Sequence, residues 1–143
     1  MIDDCSREVL DIEIDYSLPG QRVIRLLDKI GARRGYPRQV RSDNGPEFIC
    51  LALADWTEEH GIHLEFTEPG KPTQNALIER FNRTYREEVL DAYVFNSLDE
   101  VRFTTDSWKK TYNEERPHAS LGDATPEEIR QEKEGIISTI GLA

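Results

Sequence analysis

The sequence predicts an α/β domain: a mixed sheet with helices flanking it. Two observations carry this reading. Short β-type runs at residues 8–15, 38–42 and 62–66 alternate with stretches whose apolar residues recur at helical spacing. Glycine and proline fall at the joins between them. At 143 residues the chain has enough length for one hydrophobic core.

Residues 8–15 alternate, with Leu10, Ile12 and Ile14 on one face and Asp11, Glu13 and Asp15 on the other. That pattern predicts a strand with one solvated side. The run Ser17-Leu18-Pro19-Gly20 breaks it, and a helix is expected from about residue 20, with Val23, Leu26, Leu27 and Ile30 as its apolar stripe. Gly31, Gly35 and Pro37 close that helix, and 38–42 is a short strand ending at Asp43. A tight turn is expected at Asn44-Gly45-Pro46. A helix from Glu47 to about His60 follows, with Phe48, Leu51, Ala52 and Trp56 apolar, stopped by Gly61. Residues 62–66 alternate again, 67–74 read as a loop, and Asn75 is placed to cap the next helix.

In that helix, about 76–91, Glu79, Asn82, Arg83 and Arg86 stand at i, i+3, i+4 and i+7 and so share one polar stripe. Leu77, Ile78, Phe81, Tyr85 and Val89 lie on the opposite side, where the sheet is expected. Another helix spans about 98–112, with Val101, Phe103, Trp108 and Tyr112 as its apolar positions. Thr125-Pro126-Glu127-Glu128 has the form of a capped helix start. The last ten residues are expected to fray. The chain divides on this reading into a core at 1–112 and a C-terminal segment at 113–143.

The net charge of −10 argues against a general nucleic-acid binder. Its distribution softens the objection: residues 20–43 are basic, residues 80–86 add three arginines, and the acids gather at 55–68, 87–100 and 114–134. No apolar run is long enough to span a membrane. The start Met-Ile-Asp-Asp lacks the form of a secretion signal, and Cys5 and Cys50 have neither metal-type nor disulfide-type spacing. A reducing cytoplasm is the expected compartment.

The chemistry concentrates between residues 43 and 86. Asp43 ends a strand and Glu79 sits early in a helix, with thirty-five residues between them. Two carboxylates delivered by two elements suit a divalent-metal site for phosphoryl transfer. As plainer readings, Asp43 is a common turn residue and Glu79 a solvated helix residue facing Arg83. Glu47 suits its helix dipole, His118 a structural turn, and Trp56 and Trp108 the core.

Four blocks together resemble a known family. They are Ile2-Asp3-Asp4-Cys5-Ser6-Arg7-Glu8, Arg41-Ser42-Asp43-Asn44-Gly45-Pro46-Glu47-Phe48, Gln74-Asn75-Ala76-Leu77-Ile78-Glu79-Arg80-Phe81-Asn82, and Tyr112-Asn113 with Arg116-Pro117-His118, Leu121-Gly122 and Thr125-Pro126. In this order, across about residues 2–130, they are similar to bacterial insertion-sequence transposases with a retroviral-integrase-type (DDE) catalytic core. The resemblance implies an RNase H-like fold: a five-stranded mixed sheet in the order 3-2-1-4-5, with helices on both faces. It implies a site of two Asp and one Glu holding two Mg²⁺ or Mn²⁺ ions, in which Asp43 is the second acid and Glu79 the third. Asn82, Arg83 and Arg86 are then the DNA-facing residues. The implied partners are transposon-end and target DNA, a second copy of the chain or a full-length transposase. The implied place is the bacterial nucleoid.

One departure follows from the same motifs. The family's first catalytic Asp precedes the Ile-Asp-Asp block, which here begins at residue 2. The first strand, its Asp and most of the second strand are therefore expected to be absent, as in an N-terminally truncated core. Strand 8–15 then lacks its neighbour and strand 38–42 shows an open edge. The expectation is a chain that is weakly folded, strand-swapped or rearranged, and inactive alone. Two alternatives stand beside it: a DNA- or transposase-binding inhibitor that pairs through the open edge, and a small metal-dependent nuclease in which Asp3 or Asp4 replaces the missing acid.

Overall fold

The computed structural model describes residues 1–15, 19–43, 47–68, 76–133, 137 and 139–142, with backbone alone for 47–49. The expected turn at 44–46, the loop at 69–74 and the cap at Asn75 lie outside these residues. Four strands appear among them: β1 (Ile2–Asp3), β2 (Gln39–Ser42), β3 (His63–Phe66) and β4 (Thr139–Gly141). They form one sheet in the order β1-β4-β2-β3. Parallel pairs join β2 to both β3 and β4, and β1 runs antiparallel to β4.

The C-terminal strand corrects two expectations. The tail does not fray, and the edge of β2 is not open. β4 lies beside β2 with Gln39 level with Thr139, Val40 with Ile140 and Arg41 with Gly141. Leu142 extends the ladder by donating its N–H to the Arg41 carbonyl at 2.8 Å. The reason is apolar burial: Ile137, Ile140 and Leu142 are all buried, Ile140 completely. Each such side chain contributes about 1.5–3 kcal/mol when withdrawn from water.

Residues 8–15 also depart from the expected strand. Val9 makes one antiparallel bridge to Ile2, and Leu10 donates to the Met1 carbonyl at 2.9 Å. The outer side of Val9 is closed by a side chain: Asn113 Oδ1 accepts the Val9 N–H at 2.8 Å, and Asn113 Nδ2 donates to the Val9 carbonyl at 2.9 Å. A single amide thus stands in for a neighbouring strand and blunts the edge. The acidic face is not solvated. Glu8 pairs with Arg34 at 2.6 Å, Asp11 with Lys29 at 3.5 Å and Lys109 at 3.6 Å, and Glu13 and Asp15 with Arg22. Much of the basic character of residues 20–43 is spent on these acids, so that segment is not the free basic surface its composition promised.

Helix α1 (Gly20–Arg34) and helix α2 (Glu47–Glu59) cover one face of the sheet. Leu26, Leu27 and Ile30 from α1 join Leu53 and Trp56 from α2 over Val40 and Ile140. In α2, Leu53 rather than Leu51 turns inward: Leu51 is exposed, while Leu53 stands three residues from Trp56 on the buried side. Trp56 Nε1 donates to Asp28 Oδ1 at 2.8 Å, tying the two helices. At Gly31 a Cβ would lie 2.5 Å from the Tyr36 ring, so only glycine lets that ring fold back over α1.

Helix α3 (Ala76–Tyr85) and helix α4 (Leu98–Glu114) cover the other face. Ile78 and Phe81 of α3 and Tyr112 of α4 enclose Ile2 and Val9. The expected helix through about 91 changes gauge after Tyr85: residues 86–90 form a π-helical turn, closed by the Asp91 N–H donating to the Arg86 carbonyl at 2.8 Å. The wide turn buries Val89 and also brings Glu88 to Trp108 Nε1 (2.7 Å) and to Arg116. In α4 it is Thr105, not Phe103, that faces inward, because its hydroxyl meets the Tyr85 hydroxyl at 2.7 Å.

Helix α5 (Pro126–Glu132) starts as its sequence predicts. Thr125 Oγ1 accepts the Glu128 N–H at 3.2 Å, and Glu128 Oε2 accepts the Thr125 N–H at 2.9 Å. His118 anchors the turn ahead of it: its N–H donates to the Ala124 carbonyl at 3.0 Å, and its ring stands edge-on to Tyr112. Burial, then Arg116 and Arg7, hold that imidazole below its usual value near 6.5.

Ile140→Ala is expected to cost about 2–5 kcal/mol in urea denaturation, as for any buried Ile cut back to Ala. Val94→Ala, at a 92% exposed position, serves as the near-neutral control. A frayed tail would make the two variants alike. A second expectation concerns pH. With its folded pKa depressed, neutral His118 contributes stability above the ordinary histidine value, and that stability is lost as pH falls below it, because the unfolded chain takes up the proton first. Urea midpoints between about pH 7 and 5.5 should therefore drop in the parent chain and drop less in His118→Gln.

Candidate metal and nucleic-acid site

Alternation along β2 sorts its side chains. Val40 and Ser42 are buried, while Arg41 faces the opposite side, and Asp43 follows on Arg41's side at the carboxyl end of the strand, exposed. Arg41 forms an ion pair with Asp4, and its Nε lies 3.7 Å from Glu65 Oε2 on β3. Asp4 lies over Gly141 of β4, where a Cβ would stand at contact distance, 3.4 Å from Asp4 Oδ1.

The first turn of α3 meets this face. Ala76, Leu77 and Arg80 line a cavity of about 300 Å³ together with Arg41, Asp4, Arg7 and Ser120. Asp43 stands two residues beyond Arg41, and Glu79 directly precedes Arg80, so both candidate carboxylates belong to elements that meet at this cavity. Both are exposed. Asn82 and Arg83 continue the polar side of α3, and Arg86 opens the π-helical turn; all three are exposed. The expected stripe therefore holds through α3 up to Arg86, while Ile78 and Phe81 are buried on the other side.

Among the described residues, no group of three His, Cys, Asp or Glu side chains is gathered to hold a metal ion. The two N-terminal acids have other partners. Asp3 is buried, and its Oδ2 accepts from the Ser6 hydroxyl at 2.7 Å and the Ser6 N–H at 3.1 Å. Asp4 is pulled two ways: burial raises its carboxyl above the usual range, and the Arg41 guanidinium opposes that shift. β1 runs against β4, which places Asp4 toward the start of β2, away from Asp43. The strand beside β2 offers Thr139, Ile140, Gly141 and Leu142, none of them a carboxylate.

Asp43 and Glu79 alone supply hard oxygen donors suited to Mg²⁺, an ion commonly held by one or two carboxylates plus waters and substrate phosphates. The donor set fits such an ion. Of the cavity's lining, Asp4 is weighed from sequence as a replacement acid, while Arg7, Arg41 and Arg80 lie within the quoted blocks without a role assigned to them. A cluster of guanidiniums drawn from three separate segments has no local signature.

Cys5 and Cys50 are partly buried and not joined in a disulfide. Among the described residues no helix is long and apolar enough to cross a membrane.

Comparison with known proteins bears on the family and the fold. Two models of the integrase core domain match the chain, over residues 1–72 and 60–126. An insertion element IS476 protein of Xanthomonas euvesicatoria is 48% identical over 126 residues, covering 88% of this chain and 36% of that protein. An insertion element IS407 protein of Burkholderia multivorans is 42% identical over 129 residues, covering 90% and 47%. The chain thus spans less than half the length of these relatives. The transposase for insertion sequence element IS629 of Shigella sonnei is 28% identical over 112 residues, covering 78% of this chain and 38% of that protein. In fold, the chain is similar to the HTLV-2 integrase catalytic core domain solved with magnesium, at TM-score 0.67 and 18% identity over 90% of this chain and 80% of that one. The catalytic core of BIV integrase gives 0.63 and 21%, over 87% and 78%. The fold is thus that of retroviral integrase cores, RNase H-like, and the chain belongs to the integrase core domain family, with a core of the bacterial insertion-sequence transposase type.

Proposed function

We propose that this chain is the catalytic-core portion of a transposase that cuts and joins DNA by divalent-ion-assisted phosphoryl transfer. The observation that supports the reading is that Arg41 of β2 lines one cavity with Ala76, Leu77 and Arg80 of α3, so the strand that Asp43 follows and the helical turn that carries Glu79 are neighbours. Asp43 and Glu79 are the ligands for Mg²⁺ or Mn²⁺. A divalent ion held there supplies charge stabilisation for the attacking and leaving oxygens of the displacement. Arg83 and Arg86, exposed on the same polar stripe, hold the DNA backbone by its phosphates. Asn82 adds an amide with both donor and acceptor between them.

On this reading the described chain alone does not join DNA, since β4, which separates β2 from β1, brings no third acid. The nuclease alternative loses ground for a related reason: Asp3 is committed to Ser6 and Asp4 to Arg41. The inhibitor alternative relied on an open edge at β2, which β4 covers. Transposon-end and target DNA are the proposed partners, and a homo-oligomer is proposed by analogy with the dimeric and trimeric forms of the HTLV-2 core.

Thermal melts test the metal reading. Millimolar Mg²⁺ or Mn²⁺ is expected to raise the melting temperature, with about 2.7 kcal/mol of stabilisation at a hundred times the dissociation constant. The Asp43→Asn/Glu79→Gln double variant should lose that gain while melting normally without metal. An equal shift in both proteins would remove the two carboxylates from the site. For DNA, Arg83→Gln and Arg86→Gln should each flatten the dependence of log affinity on log salt by about 0.9, measured by fluorescence anisotropy on a short duplex. A slope unchanged in both would take the stripe out of the interface.

A further inference from the structure

We propose that the cavity between β2, α3 and the 119–121 turn is a phosphate-binding site whose ligating groups are Arg7, Arg41, Arg80 and the Ser120 hydroxyl. The inference rests on the proposed function for its biological source of phosphate, and on its own geometry for the site itself.

Charge is the first argument. Three guanidiniums and one carboxylate, Asp4, line a space of about 300 Å³, leaving an excess of two positive charges in a chain of net charge −10. In the comparable groove lined by Arg33, Arg34, Lys109 and Arg130, these cations face Glu8 and Asp11 through ion pairs. Arg80, by contrast, has no ion-pair partner among the described residues, and Arg7 donates only to the Asp4 backbone carbonyl, at 2.5 Å.

Unmet hydrogen-bonding capacity is the second. Arg41 Nε is buried without a hydrogen bond, since Glu65 is too far for one at 3.7 Å. A buried unpaired guanidinium donor is costly, and an oxyanion entering beside it would satisfy it. His118 Nε2, near Arg7 and two residues before Ser120, is likewise buried without a partner. Backbone geometry is the third: Arg7 holds a left-handed conformation at φ 64°, unusual for a side chain of its size, and that conformation sends its guanidinium back under the Asp4 carbonyl. The first turn of α3 adds the positive end of its dipole through Ala76.

A phosphate ester matches these groups: two negative charges at most, oxygens in several directions, and guanidiniums that bind them in bidentate fashion. The site is lined by Arg41, two residues before Asp43, and by Arg80, the residue after Glu79. The two sources of such a group are a DNA backbone and free nucleotide or inorganic phosphate.

Two arms on the full chain separate the sources. In the first, inorganic phosphate is titrated against the melting temperature without metal, with sodium chloride at matched ionic strength. A phosphate-specific rise of about 3 °C in the parent, lost in Arg80→Gln and in Ser120→Ala but kept in Arg25→Gln on the exposed side of α1, is expected. In the second, DNA affinity is followed against salt, and Arg80→Gln should flatten the log–log slope by about 0.9 where Arg25→Gln does not. A response in both arms assigns the site to the DNA backbone. A response to free phosphate alone assigns it to a mononucleotide or phosphate and still upholds the pocket. Arg80→Gln indistinguishable from Arg25→Gln in both arms overturns it. Because the first arm contains no metal or DNA, it can succeed when the metal melts fail, and the two readings therefore fall separately.

Discussion

The seam between β4 and β2 is the contact on which the remaining structure depends. Val40 and Ile140 stand level across it, both fully buried. The N-terminal strand touches the sheet only through β4, so residues 1–11 are joined to the parallel pair β2–β3 by a strand from the far end of the sequence. The placement of Asp4 over Gly141, and hence its ion pair with Arg41, follows from that insertion. The fold and the cavity at the β2 end are one construction. A long sequence separation makes such pairing slow to form, since loop closure must precede the contacts that reward it.

Charge in this chain divides into two populations. The acids of residues 8–15 and the bases of α1 neutralise one another around a strand-like segment, with Asp11 facing Lys29, Arg33 and Lys109. These pairs are partly exposed, and each is worth little alone. Their larger effect is to leave Arg7, Arg80, Arg83 and Arg86 as the cations gathered around α3. A net charge of −10 does not by itself exclude a polyanionic partner, since cations are gathered locally around α3.

Much of this was legible in the sequence where a residue's role is local. The stripe of α1, the capping box at Thr125 and the polar stripe of α3 each rest on spacings within one element, and each appears as read. The failures have a common physical cause. Asn113 closes the Val9 backbone from about a hundred residues away, and nothing near residue 9 announces it. Residues 137–142 read as a tail because an apolar run after glycine has no periodicity of its own; only the exposed edge of β2 gives it a place. The π-helical turn at 86–90 escapes notice because five residues of wider winding barely disturb a 3.6-residue pattern. As for the site, Asp43 and Glu79 were visible through the motifs they sit in, while the guanidiniums of Arg7, Arg41 and Arg80 were not, since only tertiary packing brings three separate segments together.

The strand beside β2 also bears on the chemistry. In a sheet of the order implied by the family resemblance, that position belongs to the strand bearing the first acid; here Thr139–Gly141 occupy it, with no carboxylate. Two carboxylates neutralise less of a divalent charge than three, and the ion must draw more of its coordination from water and from substrate oxygens. Affinity for metal alone then falls, while the coupling between metal and phosphate grows, because each supplies what the other lacks. On the proposed reading, the guanidiniums of the cavity act in the same sense: their positive charge lowers the cost of bringing a phosphate toward a chain whose candidate ligands are themselves anions.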